Sequence, residues 1–483
     1  MKINRDVQAG LGINFLSEKQ LEELHLATLN VLERVGVDIY HEEVLEILDE
    51  TGAKIRGKRA YIPSALVEEI LNISTPRVTL NDRHGSIAME LEKQRIYFGT
   101  GSDTPNFIDL DTGERRKACK DDIKNAVQVA HELNHIDFVM SMGLAKDVPE
   151  KKSDVHHFEA MVKNTDKPII FTAHDREGLE KIIDIAAIVK NGQEELEKEP
   201  FIALYDEPSS PLSHSKEALE KLLCCAEYNL PVIYAPAVMS GATGPVTQAG
   251  GVVVANAEIL SGLVIHQLKS RGAPFIFGGG VPPLDMETSI CSYGDPRRDL
   301  GCASLVRLAQ FYDLPVFTTA GASDAQKFDQ QAGMEAGFNL LMAGLTGGNL
   351  IHDLGYIGVG MTYSLEMLIL CNEAAAIVKR LLSGYEINEK TMALDVIEEV
   401  GPGGEFITHQ HTLENFRAER PEVNLLNRKN YDSWQRNGGH SFGEKANELA
   451  KKIVDEGNQA RLPDATLQEI ERTMQETKQP SYE

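Results

Sequence analysis

Basic residues are scarce in this chain. It carries 48 Lys and Arg against 73 Asp and Glu, a formal charge of −25 over 483 residues. Neutralising a phosphate backbone needs a basic face, so this balance argues against nucleic acid as a partner. It suits, weakly, a cationic ligand. Cysteine is sparse too. Cys119, Cys224, Cys225, Cys291, Cys302 and Cys371 show no C-x-x-C spacing, which disfavours zinc ribbons and redox pairs and reads as reduced, mostly buried thiols. The histidines form no metal constellation. His156 and His157 are adjacent and would diverge by about 100° on a helix, and His409 and His411 flank Gln410 with no third ligand nearby. No apolar run reaches the roughly 18–20 residues that span a bilayer. The opening MKINRDVQAGLGINFLSEKQ lacks the apolar stretch of a signal peptide. The expectation is a cytoplasmic protein with neither a membrane nor a nucleic-acid partner.

What is present is a large globular composition, 42% hydrophobic and 25% charged, enough for one big domain with additions or for two or three smaller ones. The N-terminal part looks helical. Ser17 stands at a helix start in SEKQLEELHLATLNVLERVG, Leu21, Leu24, Leu29 and Leu32 follow at helical spacing, and Gly36 ends the run. HEEVLEILDETG and PSALVEEILNI repeat that style. From residue 95 short strand-like runs alternate with amphipathic helices. The runs are RIYFGTGSD, DFVMSMGLA, PIIFTAH, FIALYDEP, PVIYAPAV, PFIFGGG, PVFTTAGAS and NLIHDLG. Continuous apolar strands, each followed by a helix, point to a parallel sheet covered on both faces. Eight such units point to an α/β fold of the (β/α)8 TIM-barrel type. An open doubly wound sheet is the alternative, weakened because no G-x-G-x-x-G turn follows the first strand. The expected organisation is an N-terminal helical extension (1–84), a barrel (85–385) and a C-terminal helical cap (386–483).

In such a barrel the C-terminal strand ends face the active site. Those ends carry glycines, hydroxyls, a few carboxylates and tyrosines. No lysine ends a strand, which disfavours a Schiff-base mechanism, and no His/Asp/Glu cluster has metal spacing. The Gly-rich end of the first strand leaves a phosphate cradle open. Tyr97, Tyr205, Tyr234, Tyr293, Tyr356 and Tyr363 lie within a few residues of strand ends, which suits a cavity that meets a cation with ring faces. The candidate binding set is Tyr97, Tyr205 and Tyr356 as aromatic walls, His352 as a donor, and His174 and Asp324 at the third and seventh strand ends. Asp353 is read as an orienting residue. No residue is assigned acid or base duty.

From Gly241 to Thr412 the chain resembles the trimethylamine methyltransferase superfamily, on the pieces GATGPVTQAGGVVVANAEILSGLVIHQL, LDMETSICSYGDP, SDAQKFDQQAGMEAGFNLLMAGLTGGNLIHDLG and MALDVIEEVGPGGEFITHQHTLENF. The resemblance implies transfer of a methyl group to the cobalt of a separate corrinoid protein. The founding enzymes carry a pyrrolysine, which this sequence lacks. It therefore looks like the non-pyrrolysine branch, implying a quaternary amine such as glycine betaine as substrate. A tertiary methylamine substrate and a non-catalytic amine-binding protein stay open. The chain is not expected to hold the cobalamin itself. Its nearest string to a corrinoid-binding D-x-H-x-x-G is Asp154-x-His156, with Glu159 in place of glycine, inside an expected helix. Association into a homo-oligomer is left open.

Overall fold

A computed structural model describes residues 12–421, 423–457 and 459–475. Seven strands form one parallel sheet. Tyr97–Thr100 lies beside Leu350–Leu354, followed in order by Val316–Thr319, Phe275–Gly278, Val232–Tyr234, Ile202–Asp206 and Ile169–Phe171. The segment around Phe138 joins the two edges. Gly99 bridges Phe138 and Val139 bridges Ile169, both parallel. Asp137 N donates to Phe98 O at 2.6 Å and Ile170 N to Val139 O at 2.9 Å. The sheet thus closes into a ring holding all eight expected runs in chain order, and the open doubly wound alternative falls.

Each strand leads into a helix that returns along the outside, from Lys120–Glu132 after the first run to Leu365–Leu382 after the last. Local capping sets their limits. Asp175 accepts from Gly178 N to start Arg176–Lys190, and Asn191 ends it in the left-handed conformation. In GDPRRDL, Asp295 caps the helix Pro296–Phe311 and Pro296 takes its first position, where a missing N–H costs nothing.

The first 84 residues are less purely helical than their pattern suggests. The helices Glu18–Asn30, Glu42–Glu50 and Ser64–Ile73 form as expected. Between them Val37–Ile39, Lys54–Arg56 and Arg59–Tyr61 build a small sheet, to which the barrel contributes Ser213–His214. A hairpin, Val78–Asn81 with Ile87–Leu91, spans both sides of residue 85. Its Val78, Leu80, Met89 and Leu91 pack on Phe138, Met140, Ile170, Ile233, Ile276, Phe317 and Leu350 from the ring. The hairpin therefore plugs the N-terminal end of the barrel and leaves free volume at the other end.

One helix corrects the reading of apolar run length. Gln248–Lys269 has 22 residues and a mean hydropathy of 1.5 in its most apolar window, enough to cross a membrane, yet 78% of that window is buried. The three N-terminal helices pack on one side of it and barrel strands on the other, so it is apolar all round. The amide nitrogen of its buried Asn256 donates to Thr28 Oγ1 at 2.9 Å and Tyr312 Oη at 2.8 Å. In the C-terminal part, Phe442–Glu456 packs on Leu365–Leu382 and Lys120–Glu132, and Asp464–Gln475 on Arg176–Lys190. Both lie along the outer flank of the ring rather than across its mouth.

Candidate functional site

A cavity of about 460 Å³ opens where the strands end. Its floor is aromatic. Phe317 and His352 stack with centroids 4.1 Å apart, and Tyr205 lies 5.3 Å from Phe317 and 5.9 Å from His352. Tyr356 lines one wall, its hydroxyl donating to Ser102 O at 2.6 Å. That wall requires glycine at position 101, because a Cβ there would lie 2.4 Å from Tyr356 Oη and 2.6 Å from Asp353 Oδ1. Tyr293 reaches in from the loop after the sixth strand and packs against Gly360, where a Cβ would come within 2.8 Å of the ring.

One side of the cavity is organised around Arg298. This arginine is 2% exposed, and its guanidinium carbon sits 4.5 Å from the Tyr293 ring centroid. Nη2 donates to Thr319 Oγ1 and lies 3.6 Å from Asp353 Oδ2. Nη1 has no hydrogen-bond partner. Burial would raise the Asp353 carboxyl, but His352, Arg298 and the Thr319 hydroxyl outweigh it and hold the group below its usual range. His352 Nδ1 lies 2.9 Å from Asp353 Oδ1, yet off the line of a hydrogen bond, and it too is without a partner. Two buried nitrogens, Arg298 Nη1 and His352 Nδ1, thus lack hydrogen-bond partners beside the same cavity. An unmade bond at a buried polar atom is costly, so such atoms mark where a ligand would be held.

The opposite side is acidic. Lys221 donates to Asp206 Oδ1 and to Ala173 O, both at 2.9 Å, while Asp206 Oδ2 is unpartnered. The Tyr205 hydroxyl donates to Glu207. Solvent in the cavity reaches Glu207, yet the surrounding protein disfavours its charge and raises its carboxyl. Asp103 and Asp206 are likewise raised by burial, with Lys221 opposing the shift in both. The cavity therefore has a cationic donor on one side, carboxylates on the other, and rings between them.

Of the expected residues, the structure brings Tyr205, His352 and Tyr356 together at this cavity. Tyr97 is elsewhere. It begins its strand, packs with the hairpin plug at the far end, and its hydroxyl accepts from Glu90 N at 3.1 Å. His174 turns out to solvent, its backbone N donating to Asp154 Oδ2 at 2.8 Å. Asp324 does not line the cavity. It accepts from Tyr293 N at 2.7 Å and from the Ser292 hydroxyl, which makes it the anchor of the Tyr293 loop. Tyr234 and Tyr363 are fully buried in the core, away from the lining. Sequence reasoning missed Arg298 and Lys221, which enter from helices. No lysine ends a strand, but Lys221 reaches the site from Lys216–Glu227.

A family model, Trimethylamine methyltransferase (MTTB), matches residues 5–480. The chain belongs to the trimethylamine methyltransferase family. Among curated relatives, Trimethylamine methyltransferase MttB of Desulfitobacterium hafniense (strain DSM 10664 / DCB-2) is 30% identical over 470 residues, covering 97% of this chain and 95% of its own. Glycine betaine methyltransferase of Desulfitobacterium hafniense (strain Y51) is 32% identical over 423 residues, 87% and 88% of the two chains. MttB of Methanosarcina thermophila is 29% identical over 459 residues, 92% of this chain and 93% of its own. Among solved structures, the Methanosarcina barkeri monomethylamine methyltransferase MtmB covers 94% of this chain and 90% of its own with a TM-score of 0.50 and 12% identity, a likeness of fold. The family match makes the chain a methyltransferase of that family, and the likeness to MtmB concerns the fold alone. In this member the cavity puts a buried arginine opposite a set of carboxylates.

Proposed function

We propose that the protein transfers a methyl group from a betaine-type quaternary amine to the cobalt(I) of a separate corrinoid protein. The observation that carries the betaine reading is Arg298, a fully buried guanidinium with a free Nη1 in an aromatic cavity. Arginine stays charged in proteins and matches a carboxylate with its planar fork. A simple methylamine has no anionic group to offer it, whereas a betaine does. His352 Nδ1, as the N–H of the corresponding tautomer, supplies a second donor to the same carboxylate. Tyr205 and Tyr356 then meet the quaternary nitrogen. The 32% identical relative named Glycine betaine methyltransferase supports the same reading.

The reaction needs little beyond orientation. When the methyl C–N bond breaks, its electron pair stays on nitrogen, and the leaving group is a neutral tertiary amine that needs no proton. The acceptor cobalt supplies the electron pair for the new bond. Attack on a cation disperses its charge, so a carboxylate strongly paired to the nitrogen would stabilise the ground state more than the transition state. Burial lessens that pairing by disfavouring the charge on Glu207. The Arg298 and His352 donors fix the carboxylate end, which aims the methyl groups and contributes chiefly through orientation. The test is methylation of free cob(I)alamin with glycine betaine, trimethylamine and tetramethylammonium in turn. The expected result is turnover with the betaine and none with trimethylamine. Turnover with trimethylamine alone would refute the substrate class, and betaine binding without any methyl transfer would make the protein a binder.

A further inference from the structure

Glu207 stands at the edge of the ring assigned to the cation. It lines the cavity, and the Tyr205 hydroxyl donates to its Oε1. Among the described residues no other group bonds that side chain, which leaves Oε2 free. The backbone fixes its position, because Glu207 N donates to Asp206 Oδ1 at 3.0 Å and Lys221 holds the same oxygen at 2.9 Å. Burial is the largest influence on the Glu207 carboxyl and raises it. Asp206 adds to that shift, while Tyr205, His352 and Lys221 oppose it. Tyr293 faces it from the loop after the sixth strand. The other carboxyl groups are placed differently. Against burial, His352 and Arg298 hold Asp353 below its usual range. Asp206 is 1% exposed and bound to Lys221. Asp103 closes the first strand run, 3.8 Å from His157 Nδ1. Glu207 alone combines a free oxygen, contact with Tyr205 and access to solvent.

We propose that Glu207 protonates the product: once the methyl group has gone, its carboxyl hydrogen moves to the lone pair left on the amine nitrogen. The O–H bond of Glu207 breaks as the N–H bond forms, leaving a carboxylate beside a tertiary ammonium. The product carries that proton out, and water entering the cavity restores the one on Glu207. The C–N bond breaks without a proton, so this step follows methyl transfer and does not assist it. It gives the reaction direction. A tertiary alkylamine holds its proton up to a pH near that of a lysine amine, about 10, so at neutral pH about one molecule in a thousand keeps a free lone pair. Return of the methyl group from cobalt needs that lone pair and is suppressed to the same extent. A neutral Glu207 also suits the substrate, because a carboxylate there would hold the cation more tightly than the transition state. One group thus stays uncharged before transfer and pairs with the ammonium after it. The inference rests on the betaine reading, which makes the product a tertiary amine.

Calorimetry of the full chain with glycine betaine and with N,N-dimethylglycine tests it. Each titration is run at about pH 6 in two buffers of different ionisation enthalpy, which counts the protons exchanged on binding. Glycine betaine cannot titrate at nitrogen and should exchange none, because Glu207 keeps its proton. N,N-dimethylglycine enters as the ammonium, meets a neutral Glu207 and should expel about one proton per site. Its affinity should therefore rise about tenfold per pH unit while Glu207 is protonated in the free protein, and that of the betaine should stay flat. Both differences should vanish in Glu207→Gln, whose betaine binding reports an intact cavity. The wild-type comparison stands without the variant. Equal proton counts for the two ligands overturn the proposal, as does a release that persists in Glu207→Gln or is abolished by Asp103→Asn instead. Proton release on betaine binding overturns it too, because Glu207 would then have no proton to give. A wild type that fails to bind glycine betaine at all refutes the betaine reading itself, a result distinct from binding without the proton difference.

Discussion

Arg298→Met tests the site most directly. Methionine approximates the length of the arginine stem and removes the guanidinium. The lost interaction is a hydrogen bond to a charged carboxylate, about 1.5–3 kcal/mol. At about 1.4 kcal/mol per tenfold, glycine betaine should bind roughly 10- to 150-fold more weakly. Tetramethylammonium has the same cationic head and no carboxylate, so its affinity should move less than about twofold (0.4 kcal/mol). The substitution also costs stability, because Asp353 is 6% exposed and loses a cation 3.6 Å away. Breaking a buried pair costs about 3–5 kcal/mol when nothing else supports the remaining charge. Here the Thr319 hydroxyl and His352 remain, so the loss should fall below that range. Calorimetry on both ligands, with urea unfolding of the variant in the same buffer, separates the effects. Equal weakening of both ligands would mean Arg298 supports the fold alone. No weakening of either would place the carboxylate site elsewhere.

Four further outcomes follow from the geometry. Tyr205→Ala should weaken glycine betaine by about 1–2 kcal/mol, the value of a ring face on a desolvated cation. Tyr97→Ala should leave calorimetric affinity unchanged and cost about 2–3 kcal/mol of stability, less than a fully buried ring would. Gly101→Ala should displace Tyr356 and Asp353 and destabilise the protein by about 1–3 kcal/mol, with a fall in methyl transfer larger than the fall in unfolding midpoint explains. The fourth concerns Glu258, buried and raised by desolvation to about 7 while accepting from the Ser210 hydroxyl and Leu212 N, both at 2.7 Å. Its folded value exceeds its unfolded one, so the unfolded chain releases this proton first and stability falls as pH rises from the ordinary carboxyl range towards 7. Glu258→Gln removes that loss. Its stability relative to wild type should rise by about 2 kcal/mol between pH 5 and pH 8, at 1.36 kcal/mol per pH unit, in urea titrations at the two pH values. A flat difference would show that Glu258 titrates normally.

Much of the architecture follows from periodicity that is local in the chain. Each strand lies in the ring with both faces covered, so each reads as a continuous apolar run, and all eight runs are found where that pattern puts them. Tyr205, His352 and Tyr356 were legible because they stand at or just beyond the last residues of such runs. Tyr97 was not, since the run RIYFGTGSD does not show which of its residues is the end of the strand. Three residues separate Tyr97 from Thr100, about 10 Å at the rise of a strand, and that distance carries the ring from the mouth to the plug. Arg298 is a different case. It sits beside Arg297, and in sequence the pair looks like a charged first turn of a helix. About 100° of helix rotation turns Arg297 outward onto Asp295 and Arg298 inward under Tyr293. Lys221 hides among ordinary helix charges for the same reason. Which positions are apolar, and how often they recur, is set by the sequence read locally, and so is membership of the family. Only closure of the ring, with one end plugged by a hairpin, decides which strand ends meet across a cavity and which helix side chains reach it. Those contacts join residues hundreds of positions apart, and no local pattern encodes them.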